Sequence, residues 1–186
     1  MKHLHRTINL NLLAIALVFQ CVCIAQVYAD EERIKDVWTV DGSSKDDVYL
    51  SVNGGVVYGD RLIILIRKKN CQKGTLVTTV YSYKDPAVVS QLDGKEIEIE
   101  FDGREMKAIV VSTNPFLMGS RTLIQLMNLS LDRFIKTIRD DYTLAVTYLN
   151  TPIGSASKFF DINTNNWKMQ GVKSAVQRAQ KICRAL

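Results

Sequence analysis

Histidine is almost missing from this chain: two occur in 186 residues, His3 and His5, both at the amino terminus. If that terminus is removed on export, as argued below, the working protein has no imidazole. It then cannot build a Ser-His-Asp or Cys-His nucleophile, and it lacks the commonest ligand for zinc, copper and non-haem iron. Cysteine is scarce too, four in all, and no C-x-x-C occurs, which excludes a dithiol redox motif. Proline numbers three, with no Pro-rich, repeated or low-complexity stretch to act as a linker. The phosphate and nucleophile patterns G-x-x-x-x-G-K-[ST], G-x-G-x-x-G and G-x-S-x-G are absent as well. Neither a cofactor nor a metal is expected.

What is present begins with a graded amino terminus. Lys2, His3, His5 and Arg6 form a basic start, and Leu10 to Ile24 is an apolar run with no charge. Val27-Tyr28-Ala29 then offers small or modest residues before Asp30, Glu31 and Glu32. Basic, apolar, small and then acidic is the order of a cleavable secretory signal. The apolar core is shorter than the roughly 20 residues needed to span a bilayer. Residues 1–29 are therefore expected to be a signal peptide and 30–186 a single domain. No transmembrane segment is expected after cleavage.

Cleavage leaves Cys71 and Cys183. Two distant cysteines in an exported chain most simply form one disulfide. Closing a loop of roughly a hundred residues restricts the unfolded chain by about 4.7 kcal/mol at the upper end.

Along the expected mature chain, strand signals dominate. Asp36 to Val40 and Asp47 to Val52 alternate, and Asn53-Gly54-Gly55 suits a tight turn into a returning arm, Val56 to Tyr58. Arg61 to Arg67 is a continuous apolar run, the mark of a strand buried on both faces, and Thr75 to Tyr83 is strongly β-prone. Asp85-Pro86 opens a short helix to Leu92. Lys95 to Phe101 places Ile97, Ile99 and Phe101 on one face and Glu96, Glu98 and Glu100 on the other. Met106 to Thr113 returns as its hairpin partner and is broken by Asn114-Pro115. Arg121 to Asn128 suits either a strand or a helix, and the strand is the reading taken. Ser130 caps a helix from Leu131 to about Asp140. Tyr142 to Leu149 and Lys158 to Ile162 are strands, and a terminal helix starts near Asn166 with Trp167 on its apolar face. The fold expected is mainly β (α+β): an antiparallel β-sandwich or partial barrel, with the C-terminal helix packed on it and held by one disulfide.

Four clusters invite a functional reading. Ser155-Ala156-Ser157-Lys158 matches the S-x-x-K nucleophile pattern, but it leads into a strand-like segment, where positions three apart face opposite ways. Glu96, Glu98 and Glu100 make an acidic row, read as a solvated outer face that discourages edge pairing. Arg67, Lys68 and Lys69 would join Arg178, Lys181 and Arg184 of the last helix in one basic patch if the disulfide brings them together, a surface for an anionic partner. Trp38 and Trp167 read as core residues. The function expected is that of a non-catalytic exported accessory or adaptor protein. It would work in a bacterial periplasm or outside the cell and bind a protein or envelope component, not nucleic acid. The alternatives are a His-free hydrolase of an envelope polymer, pairing Asp140 or Asp141 with Glu96 or Glu98, and a small-ligand carrier with an apolar cavity.

Overall fold

Alternating apolar residues set the architecture, because each strand has one face to bury. The computed structural model describes residues 38–57 and 59–185; the segment read as a signal peptide and residues 36–37 of the first expected strand lie outside them. The strands are β1 (Thr39–Asp41), β2 (Asp47–Asn53), β3 (Arg61–Arg67), β4 (Lys73–Ser82), β5 (Glu96–Phe101), β6 (Arg104–Phe116), β7 (Gly119–Ser130), β8 (Thr143–Thr151), β9 (Gly154–Ser155) and β10 (Thr164–Lys168). They form one antiparallel sheet in the order β1-β2-β3-β4-β7-β6-β5-β8-β10, with β9 beside β8. The helices are α1 (Pro86–Val89), α2 (Leu131–Thr137) and α3 (Val172–Arg184).

The inner face is one continuous core. Leu62, Ile64 and Ile66 of β3 are buried, but Arg61 and Ile63 on its other face line an open hollow, so β3 is buried on one face and not on both as expected. Ile97 and Ile99 of β5 likewise lie beneath the outward glutamates. Register shifts lie in the β4–β7, β6–β7 and β5–β8 pairs. Extra residues of this kind bend and twist a sheet. Here the sheet curls into a partial barrel until β10 meets the loop after β2. The Gly55 N–H donates to Asn166 O at 2.7 Å, and the Asn165 amide takes the Val56 N–H at 3.0 Å and donates to Val57 O at 3.1 Å. Gly54 is required here, since a Cβ would stand 2.5 Å from Val57 O, a backbone atom.

Helix α3 buries Val172, Ala175, Val176, Ala179, Gln180 and Cys183, a stripe at helical spacing. It packs on β1, β2 and β3, and the Cys71–Cys183 disulfide fastens its last turn to the β3–β4 turn. The mainly β fold, the antiparallel sheet, the terminal helix and the disulfide are as the sequence implies. Trp38 and Trp167 are both buried in the core.

Five further segments differ from expectation. Val56 and Val57 lie in a bend, not a returning arm; Tyr58 is outside the described residues. Strand β6 runs through Pro115 to Phe116. Its ladder to β5 stops at Ile109, so the prolyl nitrogen owes that side no hydrogen bond. Helix α2 ends at Thr137 because Ile138 turns extended, and Ser130 makes no side-chain cap bond. Lys158 to Ile162 is not a strand: a 3₁₀ turn over Ala156–Lys158 buries the adjacent Phe159 and Phe160 together, which alternation could not do. Trp167 belongs to β10, not to the terminal helix, which begins six residues after the expected Asn166 at Val172.

Candidate functional site

On the outer face of the sheet, β3, β4 and the β6–β7 hairpin enclose an open hollow of about 630 Å³. The strand registers explain its lining. Arg61 pairs with Thr79, and Tyr81 pairs with Arg121, so two cations and an aromatic ring share one patch of outer face. Tyr83 continues β4 past its end, and Phe116 closes the far wall from the hairpin. Tyr81 meets Tyr83 edge-on at 5.1 Å and Phe116 edge-on at 5.6 Å. The Arg121 guanidinium lies 3.6 Å from the Phe116 ring centroid, a desolvating stack that leaves its charge in place. No acidic residue lines the hollow, and neither Arg61 nor Arg121 has a salt-bridge partner among the described residues.

Two carboxylates set the floor from behind. Asp60 is only 3% exposed; it accepts the Tyr81 N–H at 2.7 Å and the Asn165 amide at 3.2 Å. Burial pushes its pKa up to about 6, although those two hydrogen bonds pull the other way. Asp161 accepts the Tyr83 N–H and the Ser82 hydroxyl, and pairs with Lys84 at 3.4 Å. Burial raises its pKa, but these donors outweigh burial and hold it below the usual carboxylate value.

The hairpin tip overhangs the hollow. Phe116 pairs with Gly119, leaving Leu117 and Met118 as a two-residue turn, each 84% exposed. Leu117 has φ of 51°, a left-handed conformation that side chains adopt at a cost of about 1–2 kcal/mol. Gly119 lets the hairpin sit directly on β4, since a Cβ there would come 2.0 Å from Ser82 O, a backbone atom. Gly119→Ala should therefore lower unfolding stability in urea by on the order of 2–3 kcal/mol, as overpacking against a fixed backbone does; a loss below about 0.5 kcal/mol would show that the contact is soft.

The residues singled out from sequence fall elsewhere. Arg67 and Lys69 are exposed near the Cys71 end of the bridge, and Arg178, Lys181 and Arg184 are exposed on α3. The Cys183 sulfur lies 3.6 Å from Arg67 O, so the disulfide sets the last turn of α3 beside the end of β3 that carries Arg67. Lys68 is the exception, its ammonium donating to Ser44 O. Arg61 and Arg67 are at opposite ends of β3, about 20 Å apart at strand rise, so the basic set and the hollow are separate surfaces.

Glu96 pairs with Lys107 at 3.0 Å, and Glu98 accepts from Asn150 at 3.1 Å, beside a cleft of about 180 Å³. Asp141 is held by Arg139 at 2.7 Å, and neither it nor Asp140 lines that cleft, so the carboxylate pairings weighed for a hydrolase are not assembled there. Ser155 pairs with Ser157 at 3.0 Å, while the Lys158 amine lies over the Phe159 ring. Among the described residues no group of three His, Cys, Asp or Glu could hold a metal ion. No described helix is long and apolar enough to cross a membrane.

Sequence reasoning missed the hollow and the tip. One signal was available: Leu117-Met118-Gly119 stands between two strand-like runs where a hairpin turn ordinarily carries Asn-Gly. Compared with protein-family models, curated proteins and solved structures, this chain matches none of them, so its function has to be argued from this geometry.

Proposed function

We propose that this is an exported accessory protein of the cell envelope, periplasmic or extracellular, that acts by binding and not by catalysis. The observation that carries this reading is the juxtaposition of an exposed Leu-Met turn with a hollow of three aromatic side chains and two arginines, none of them opposed by an acid. Exposed large apolar side chains beside a polar rim are the mark of an interaction site. Export is supported by the signal-like order of residues 1–29 and by the disulfide, a bond that oxidising compartments preserve. The cations around the bridge, Arg67, Lys68, Lys69, Arg178, Lys181 and Arg184, serve on this reading as a second, longer-range attraction for an anionic partner.

The test is co-sedimentation of the chain lacking residues 1–29 with an isolated envelope fraction. Saturable binding is expected, weakened about tenfold by Leu117→Asp, roughly the 1.4 kcal/mol or more that desolvating a charge at an apolar contact costs. Protein left in the supernatant at every envelope concentration would overturn the reading.

A further inference from the structure

We infer that the envelope component bound is the lipid bilayer itself: the Leu117-Met118 turn enters an anionic lipid surface as a shallow wedge, with Arg61 and Arg121 on the phosphates. This deepens the binding reading above and rests on it.

The wedge is defined by where exposure starts and stops. Leu117 and Met118 are each 84% exposed, whereas Phe116 on one side is half-buried and Gly119 on the other is buried. Only two side chains therefore protrude, at the extreme of a hairpin whose strands are paired almost to the tip. Such a turn puts apolar side chains below the headgroups while its backbone stays in the polar interface, where peptide groups find partners. A protein partner would need a complementary pocket for two protruding flexible side chains, but a bilayer needs none.

The neighbours match the layers of that interface. Tyr83, 66% exposed, and Tyr81 stand beside the tip, and tyrosine rings favour the headgroup level. Arg61 and Arg121 are the charged members of the lining and face no carboxylate. A guanidinium offers paired N–H donors that suit phosphate oxygens, and its long stem lets it follow the headgroup layer. Arg121, braced on Phe116 at 3.6 Å, loses little further freedom on binding. The left-handed Leu117 adds a second argument. Glycine would fit that φ without strain, so the turn itself does not call for a leucine, and what the residue adds is an exposed apolar side chain.

Leu117→Gly removes one of the two protruding side chains and relieves the backbone together, so it tests the proposal without threatening the fold. The chain lacking residues 1–29 is sedimented with vesicles of equal parts phosphatidylglycerol and phosphatidylcholine, and with pure phosphatidylcholine vesicles. Binding to the mixed vesicles is expected, falling about tenfold with Leu117→Gly and at least as far with Arg61→Glu plus Arg121→Glu. The control is Arg133→Glu plus Lys136→Glu, an equal charge change on α2, at the other end of β7. It should cost much less, because diffuse attraction is screened while the wedge is local. Equal losses in both double variants, or undiminished binding by Leu117→Gly, would overturn the proposal. Binding to the envelope fraction but to neither vesicle would also overturn it while leaving the binding reading standing, and so would envelope binding abolished by prior protease treatment of that fraction. Binding to none of the three would remove both.

Discussion

With the Cys71–Cys183 bridge reduced, the protein melts roughly 10 °C below its oxidised form. The bridge spans 112 residues of sequence, and the chain-entropy cost it spares the folded state is about 4 to 5 kcal/mol for a loop of that length. For a chain of this size each kcal/mol moves the midpoint by about 2–4 °C. The native contacts do not themselves depend on the bond. Helix α3 keeps its buried stripe from Val172 to Ala179 on β1–β3, and Gln180 still donates to Cys71 O at 3.2 Å. The loss should therefore appear as a lower midpoint of one cooperative transition, not as early detachment of the helix. Thermal unfolding followed by circular dichroism, with and without reductant, measures it. Cys71→Ala combined with Cys183→Ala should reproduce the reduced protein and become insensitive to reductant. A shift under about 3 °C would mean that the unfolded chain is already constrained without the bond, and the bridge would lose its part in holding the terminal helix.

The disulfide was legible in sequence because only two cysteines remain once the amino terminus is set aside. Strands with two different faces were equally plain: Ile97 and Ile99 go inward and Glu96 and Glu98 outward, as their alternation demands. Illegible segments were those in which a residue answers to a distant partner. Thr164–Lys168 carries two asparagines, which strands disfavour, and one of its two inward residues is Asn165. Asn165 is buried because its amide closes the barrel against Val56, Val57 and Asp60, more than a hundred positions away. A local reading meets Asn-Asn and then borrows Trp167 for the following helix. Phe159 and Phe160 likewise look like strand residues, and only the 3₁₀ turn explains how neighbours can both be buried.

The site was harder still, because no contiguous segment carries it. Arg61, Tyr81 and Arg121 mean little singly, and only the β3–β4–β7 register gathers them on one outer face. Asn114-Pro115 reads as a strand stop, which hid the hairpin continuing to Phe116 and the turn beyond. The basic set was legible as composition, and the disulfide joins the two segments that carry it. Its six members nonetheless lie away from the hollow, where aromatic rings and cations coincide.

Asp60 ties the closure of the barrel to the floor of that hollow, and its titration should be visible in stability. Its side chain receives the Tyr81 N–H from the hollow and the Asn165 amide from the closing strand. Burial raises its pKa from 3.8 to about 6, so between those values the folded state binds more protons than the unfolded. Stability from this group is therefore fully present below about pH 4 and is lost as pH rises through about 6, by about 3 kcal/mol over that interval. Other carboxylates titrate in the same range, and the depressed Asp161 works in the opposite sense. The contribution of Asp60 is isolated as the difference between wild type and Asp60→Asn, from urea unfolding at pH 4, 5, 6 and 7. The amide cannot charge and, like the protonated acid, offers one carbonyl oxygen where two donors converge. At pH 4 the variant should accordingly lie within about 1 kcal/mol of the wild type. By pH 7 the wild type bears a desolvated charge that the variant does not, and the variant should become the more stable of the two. A difference that stays flat across the four pH values would mean that the carboxylate is ionised at no cost, and that the closure of the sheet is wetter than its burial implies.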